Sequence, residues 1–391
     1  MSETPPPQAY ISKVHLKGYK SIKDLEIDFK PGLNIIIGPN GSGKTNFLEF
    51  VYESQSSQTY ETLTKEEFFS EISTNYMKVI LEGKFSQFSR DALFYEVREK
   101  GFQGKELIQH RGINFDKTNG KVKIGFIKDD EANPQSLWGG ASFKSFFSGV
   151  EFIRFSSNYQ FDTGLAIDIF STQRKEISAY PVDSPFELVQ MFFKSINEIG
   201  ELSSELKRKL SIDNQRLISN LRQFTPIKDL SVENDSILLQ TMKDNQIQLR
   251  NIHLKFLVND KWLYWNQLSD GTKRLFYILS KLTDDFQSFY FIEEPELGIH
   301  PDQLSDLMDF LKEQSQTKQI IITTHSPEVM NILNKDELDR IIVTRFDKEK
   351  GTQMHKLSPH KIKKGQIYMK KVGHLSDFWV HSNLEEIDEE D

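Results

Sequence analysis

Residues 38–45, Gly-Pro-Asn-Gly-Ser-Gly-Lys-Thr, constrain this chain more than any other stretch. They fit the pattern G-x-x-x-x-G-K-[S/T] at every fixed position. The apolar run Ile35, Ile36, Ile37 leads into them, and residues 47–53 follow with helical spacing. A strand that runs into a glycine-rich loop and leaves as a helix belongs to an α/β fold. The chemistry follows from the backbone. Gly38, Gly41 and Gly43 let main-chain N–H groups converge on a phosphate at a helix N-terminus, with Asn40, Ser42 and Asn46 in the same cradle. The Lys44 ammonium reaches the β- and γ-phosphates, and the Thr45 hydroxyl ligates a metal ion. ATP and Mg2+ are the expected ligands.

Composition narrows the class. The chain has 391 residues, enough for a large core, and no cysteine, which removes disulfides and thiolate chemistry and fits a reducing cytoplasm. Residues 1–9 lack the features of an export signal and read as a flexible leader. No apolar run approaches the roughly 20 residues that span a bilayer, so no membrane partner is expected. The net charge is −8, and residues 385–391 (EEIDEED) supply six of the acids. That tail reads as a solvated end, and the near-neutral remainder neither supports nor excludes a local basic groove for DNA.

Along the chain, residues 10–37 alternate apolar and polar positions around turns at Gly18 and Gly32, which predicts three strands. Strand-like runs between residues 77 and 126 predict an antiparallel lobe. Residues 129–148 read as a connection, and a strand is expected at 150–155. Residues 185–221 show three- and four-residue apolar spacing, which predicts one or two helices and no long coiled coil. The last third alternates helices with short unbroken apolar strands at 289–292, 320–324 and 340–345, the signature of a parallel sheet covered on both faces. The expected division is a leader (1–9), an N-terminal ATPase lobe (10–156), a helical insertion (157–226), a C-terminal ATPase lobe (227–367) and a final segment with the acidic tail (368–391).

Phosphoryl transfer needs a metal-holding acid and a group that orients water, both at the end of a strand beside the cradle. Residues 289–296, FYFIEEPE, supply them. Glu293 is placed to hold Mg2+, directly or through water, and Glu294 to act as general base, with Glu296 as a spare acid. The same carboxylates would also suit the first turn of a following helix. Residues 268–274, LSDGTKR, precede a helical run. Ser269 reads as its N-cap, and with Gly271 it leaves a helix N-terminus suited to an anion. Residues 320–327, IIITTHSP, end a strand on His325, which can hydrogen-bond the γ-phosphate there.

Taken in order, these motifs resemble the ABC-type ATPase heads of the SMC, RecF and OLD-like group. The stretch KVHLKGYKSIKDLEIDF with GLNIIIGPNGSGKTNFLE is similar to their N-terminal lobe, LSDGTKR to their signature, FIEEPELGIHP to their Walker B and D-loop, and IITTHSP to their switch histidine. Asp270 stands where the family signature has a small residue, and Glu293 where many members have Asp. The resemblance implies a P-loop fold with a mixed sheet, ATP hydrolysis, and a homodimer or higher oligomer in which Ser269 and Gly271 of one subunit close on the ATP held by Lys44 of the other. It also implies that Lys20 lies near the phosphates, although a plain surface lysine fits that position equally well. The family's Q-loop glutamine has two candidates, Gln160 and then Gln173.

Lys44 and Ser269 lie 225 residues apart, a longer interval than a transporter cassette uses. Only 66 residues follow His325, too few for a fused nuclease of the OLD kind. The chain therefore resembles stand-alone heads of two-protein bacterial defence systems, in which a separate nuclease or toxin is the effector. Two alternatives stay open at this point: a DNA repair or chromosome-associated clamp, and a switch that binds ATP with little hydrolysis.

Overall fold

The computed structural model describes residues 10–55, 67–75, 78–89, 92–103, 106–118, 121–127, 150–153, 165–171, 177–182, 211–212, 214–241, 246–283 and 288–382. Its contacts form two units, one of residues 1–153, 286–296 and 311–391, the other of residues 154–285 and 297–310.

The first unit opens with β1 (Ile11–Tyr19), β2 (Ile22–Asp28), β3 (Leu33–Ile37) and helix α1 (Lys44–Gln55). Strands β4 (Phe68–Thr74), β5 (Lys78–Ser89), β6 (Ala92–Gln103), β7 (Glu106–Thr118) and β8 (Lys121–Ile127) extend it, followed by β9 (Val150–Ile153). The second unit holds β10 (Leu165–Ser171), β11 (Ile177–Val182), α2 (Gln215–Phe224), β12 (Ile227–Val232), β13 (Leu238–Thr241), β14 (Gln246–Ile252), β15 (Leu254–Val258), β16 (Lys261–Tyr264) and α3 (Asp270–Thr283). Then come β17 (Phe289–Glu293), α4 (Pro301–Gln314), β18 (Gln319–Thr324), β19 (Ile341–Asp347), β20 (Gly351–Lys356), α5 (Pro359–Lys371) and α6 (Leu375–His381).

One sheet of the first unit has the order β8-β7-β6-β5-β4-β1-β2-β20-β19-β3-β18-β17-β9. From β19 to β9 every pairing is parallel, and from β8 to β19 every pairing is antiparallel. The two halves follow from their sequences. In β3, β17 and β18 nearly every residue is buried, because helices cover a parallel sheet on both faces. In β2 the burial alternates from Asp24 to Asp28 as Leu25 and Ile27 turn inward, since one face of an antiparallel lobe meets solvent. Helix α1 joins the halves. Its Phe47, Leu48, Phe50 and Val51 are fully buried among Leu16, Leu25, Ile36, Phe291 and Ile321. The Tyr19 and Phe50 rings stack at 4.6 Å, and Phe68 meets Phe50 edge-on at 5.7 Å. Burial of each such ring stabilises the fold by about 1.5–3 kcal/mol. Among the polar core groups, the buried Gln319 amide accepts from Ile11 N at 2.8 Å and donates to Ile11 O at 2.8 Å, tying β18 to β1.

After β18 the chain forms 3-10 turns at Pro327–Ile332 and Lys335–Arg340 rather than the expected helix. Pro327 at the start lacks an N–H, and the short Asn334 capping box restarts the turn before a second α-helical turn can form.

In the second unit, one sheet has the order β11-β10-β14-β13 and another β12-β15-β16. The span 157–226 was expected to be helical, and it contains β10 and β11 as well as α2. In β10, the short run LAIDIFS is rich in β-branched and aromatic residues, and its length of 7 residues suits a strand rather than a helix. Helix α2 starts at the Asn214 cap, whose side chain accepts from Leu217 N, and buries Leu217, Ile218, Leu221 and Phe224. Phe224 packs on Phe310 at 5.2 Å.

Candidate nucleotide site

The loop between β3 and α1 is fixed by close backbone approach. Gly38 N donates to Thr324 O at the end of β18, and a Cβ on Gly38 would stand 2.1 Å from Thr344 O of β19. Gly43 has φ +99°, and its Cβ would stand 1.9 Å from Thr352 Oγ1. Gly41 has φ +80° with nothing within 4 Å of its Cβ. The first and third glycines are therefore required by packing, the second by backbone conformation alone. Lys44 is buried at the first position of α1, and its Nζ donates to Gly38 O at 2.7 Å and Pro39 O at 3.0 Å, so the ammonium spans the loop. Burial holds its pKa below the ordinary lysine value, while Glu294, Glu296 and Glu293 pull it the other way.

At the end of β17, Glu293 Oε1 accepts a hydrogen bond from Thr45 Oγ1. The two side chains expected to hold Mg2+ thus meet from elements 248 residues apart. A hydroxyl beside a carboxylate is a hard-oxygen donor pair of the kind that Mg2+ takes when phosphates and waters fill the remaining positions. Thr323, which pairs with Glu293 across β17 and β18, has a buried Oγ1 without a partner, and Ser42 Oγ in the loop is likewise buried and unpaired. Buried hydroxyls without partners fit a polar ligand or ordered water at this edge. Among the described residues no group of three His, Asp or Glu forms an all-protein metal site.

Glu294 follows with φ +42°, its N–H donating to Thr323 O at 2.8 Å. A non-glycine residue in the left-handed region is uncommon and costs about 1 kcal/mol or more, and here it turns the carboxylate off the strand axis. His325 Nδ1 lies 3.3 Å from Glu294 Oε1 and 3.6 Å from Glu296 Oε1. The Glu294 side chain is 22% exposed and that of Glu296 8%, so Glu294 has access to water and Glu296 does not. Glu296, read from sequence as a spare, instead accepts from Thr324 Oγ1 at 2.5 Å and braces the turn that carries His325.

The signature segment lies in the second unit. Ser269 caps α3, accepting from Thr272 N at 3.1 Å, with its Oγ 2.8 Å from Thr272 Oγ1. Asp270 sits in the first turn, where the helix dipole favours a carboxylate, and Lys273 Nζ is 3.4 Å from it. Gly271 meets the backbone of Gly298, where an added Cβ would stand 2.5 Å from Gly298 O.

Lys20 stands in the β1–β2 turn at φ +49°, with Nζ 2.5 Å from Glu49 Oε2 of α1 and 5.0 Å from the Tyr19 ring. Burial, the largest single influence, lowers its pKa, and the hydrogen bonds and charges of Glu49 and Tyr19 together outweigh that and raise it. Asn40 lies exposed at the loop tip. Asn46 Nδ2 donates to Ser21 Oγ at 2.7 Å, and Ser21 Oγ lies 2.7 Å from Thr352 Oγ1. Sequence reading missed Ser21 and Thr352. Ser21 had a signal, its place beside Lys20, whereas Thr352 lies in no motif. Gln160 and Gln173 fall outside the described residues.

The chain is similar to several known proteins. The model of the AAA ATPase domain family matches residues 10–330. The "DNA replication and repair protein RecF" of Streptococcus uberis is 23% identical over 365 residues, covering 85% of this chain and 94% of that protein. The "ATP/GTP phosphatase" of Helicobacter pylori is 24% identical over 346 residues, covering 83% of this chain and 88% of that protein. The RecF of Desulfitobacterium hafniense is 42% identical over 57 residues, and the chain spans only 16% of its length. Among solved structures, an Smc head bound to the C-winged helix domain of ScpA superposes with a TM-score of 0.48 at 15% identity, over 91% of this chain and 99% of that one. With the phosphate loop following β3, Glu293 and Glu294 at the end of β17 and His325 just past β18, the chain belongs to the AAA ATPase domain family and is an ABC-type ATPase head of the SMC and RecF kind.

Proposed function

We propose that this chain hydrolyses ATP at a site completed by a second copy, and that closing and reopening of this dimer controls what it is bound to. The observation that carries the reading is the meeting of Thr45 with Glu293 beside the Glu294–His325 pair. Lys44 would hold the β- and γ-phosphates, and Thr45 and Glu293 would hold Mg2+, which supplies charge neutralisation on the phosphate oxygens. Glu294 would take a proton from the attacking water at a carboxylate oxygen. His325, oriented by Glu294 and Glu296, would donate to the γ-phosphate. Ser269 and Gly271 of the second copy would close the far side with the N-terminus of α3.

Subunit mixing tests the shared site. Lys44→Ala and Ser269→Arg should each abolish turnover alone. Mixed, they form a dimer in which one site carries both defects and the other carries none, so part of the activity should return. Mixtures as dead as their parents would rule out the composite site.

Two readings concern the cargo. In the first, the ATP cycle restrains a separate effector, a nuclease or toxin of the bacterial defence kind, which should co-purify from the native operon. In the second, favoured by the RecF relative matched over 94% of its length, the cycle is DNA-associated. That reading expects ATP-dependent, salt-sensitive DNA binding by this protein alone.

A further inference from the structure

Helix α5 carries a charge pattern that nothing in the nucleotide site uses. Its sequence, PHKIKKGQIYMKK, has five lysines and no acid. Across residues 358–382 only Asp377 is acidic, in a chain whose net charge is −8. The helix is docked by one face. Gly365 is buried, and a Cβ there would stand 2.9 Å from Leu338 and 3.6 Å from Phe378, while Tyr368 packs on the Phe378 ring at 5.1 Å. The opposite face holds Lys363, Lys364, Ile367, Lys370 and Lys371, all exposed.

Helix stability does not account for this pattern. Lys370 and Lys371 in the last turn suit the helix dipole. The first turn, where the dipole favours carboxylates, has none and instead holds His360 and Lys361. Lys361 and Lys364 add a like-charge pair three residues apart. The helix therefore accepts electrostatic costs that a bound polyanion would offset.

The geometry points to a nucleic-acid backbone as that polyanion: we infer that the Lys363, Lys364, Lys370 and Lys371 face of α5 is a sequence-independent phosphate-binding surface. The two lysine pairs are seven residues apart, about 10.5 Å along the helix at roughly 1.5 Å per residue. That separation lets the two pairs meet different phosphates of a duplex, which carries about one negative charge per roughly 1.7 Å of axis. An acidic membrane fits less well. An interfacial helix needs a broad free apolar face, and here Ile367 is the one exposed apolar side chain within α5, while the Gly365 side is closed against Leu338, Leu375 and Phe378. The inference rests on the DNA-associated reading above and adds the surface that makes the contact.

The test uses the full chain with ATP and a fluorescein-labelled mixed-sequence DNA duplex, measured by anisotropy over a salt series. The comparison is the fourfold variant Lys363→Gln, Lys364→Gln, Lys370→Gln, Lys371→Gln, which leaves the nucleotide site intact. Each lost phosphate contact should reduce the slope of log affinity against log salt by about 0.9, so the variant should lose up to about 3.6 of slope. Binding at low salt should weaken on the order of 100-fold. Fluorescent-ATP affinity and melting temperature should match the parent, which excludes misfolding. DNA binding with an unchanged slope in the variant overturns this surface and leaves the DNA reading standing. Absence of DNA binding by the parent, with ATP turnover intact, overturns both. Lysine-dependent binding to phosphatidylserine vesicles or to polyglutamate, with none to DNA, also overturns the inference.

Discussion

His325 Nδ1 stands 3.3 Å from Glu294 Oε1, so the first residues beyond β18 and β17 share one contact across 31 positions of sequence. The carboxylate can orient the imidazole and face water together, since it is partly exposed and turned off its strand by a positive φ. Glu294→Gln keeps a hydrogen-bonding oxygen and removes the base. Turnover should fall by about 10²–10⁴, while ATP affinity holds and an ATP-bound dimer accumulates. Phosphate release and light scattering measure the two effects. Unchanged turnover would identify a binding switch in place of a hydrolase.

Lys44 is a buried ammonium balanced against three glutamates. Lys44→Met fills the same space without the charge. Loss of a charge-assisted hydrogen bond worth about 1.5–3 kcal/mol should weaken ATP by roughly 10- to 100-fold. Titration calorimetry reads that directly.

The loop glycines separate conformation from packing. Gly41→Ala meets only the left-handed backbone and should cost about 1 kcal/mol. Gly43→Ala adds a methyl 1.9 Å from Thr352 Oγ1 and should cost several times more, displacing β20 or the loop. Thermal melts of the two variants should differ in that order, and equal melting temperatures would refute the packing argument.

Glu337 gives a pH dependence with a defined sign. Burial raises its pKa, but the Lys312 hydrogen bond and the Asn334 N–H outweigh it and hold the carboxyl below its ordinary 4.5. A depressed carboxylate stabilises the fold above that value, and the contribution is lost as pH falls through the lower folded pKa. Glu337→Gln should therefore melt below the parent at neutral pH and converge with it in acid. A gap that persists below pH of about 3 would show that shape rather than charge sets it.

Much of this was legible because phosphate chemistry restricts residues to contiguous motifs. The cradle, Glu293, Glu294 and His325 each sit at the end of a short apolar strand, and sheet register alone brings Glu293 opposite Thr323. The bracing role of Glu296 was not legible, because it depends on burial and on Thr324 three-dimensionally beside it. Thr352 was invisible for the same reason. The β10–β11 pair was misread because helical spacing further along drew the whole insertion toward helix.

Ser21 and Thr352, whose hydroxyls lie 2.7 Å apart behind Gly43, are separated by 331 positions. The ribosome therefore releases the phosphate loop long before its backstop exists. Until β19 and β20 emerge, β3 lacks the neighbour that pairs Ile341 with Ile35, and its apolar edge is open to wrong partners. Nucleotide capture is thus expected late in the life of the nascent chain. A ribosome-stalled chain ending before residue 341 should recruit chaperones and ignore ATP, and one extended past the hairpin should do the reverse.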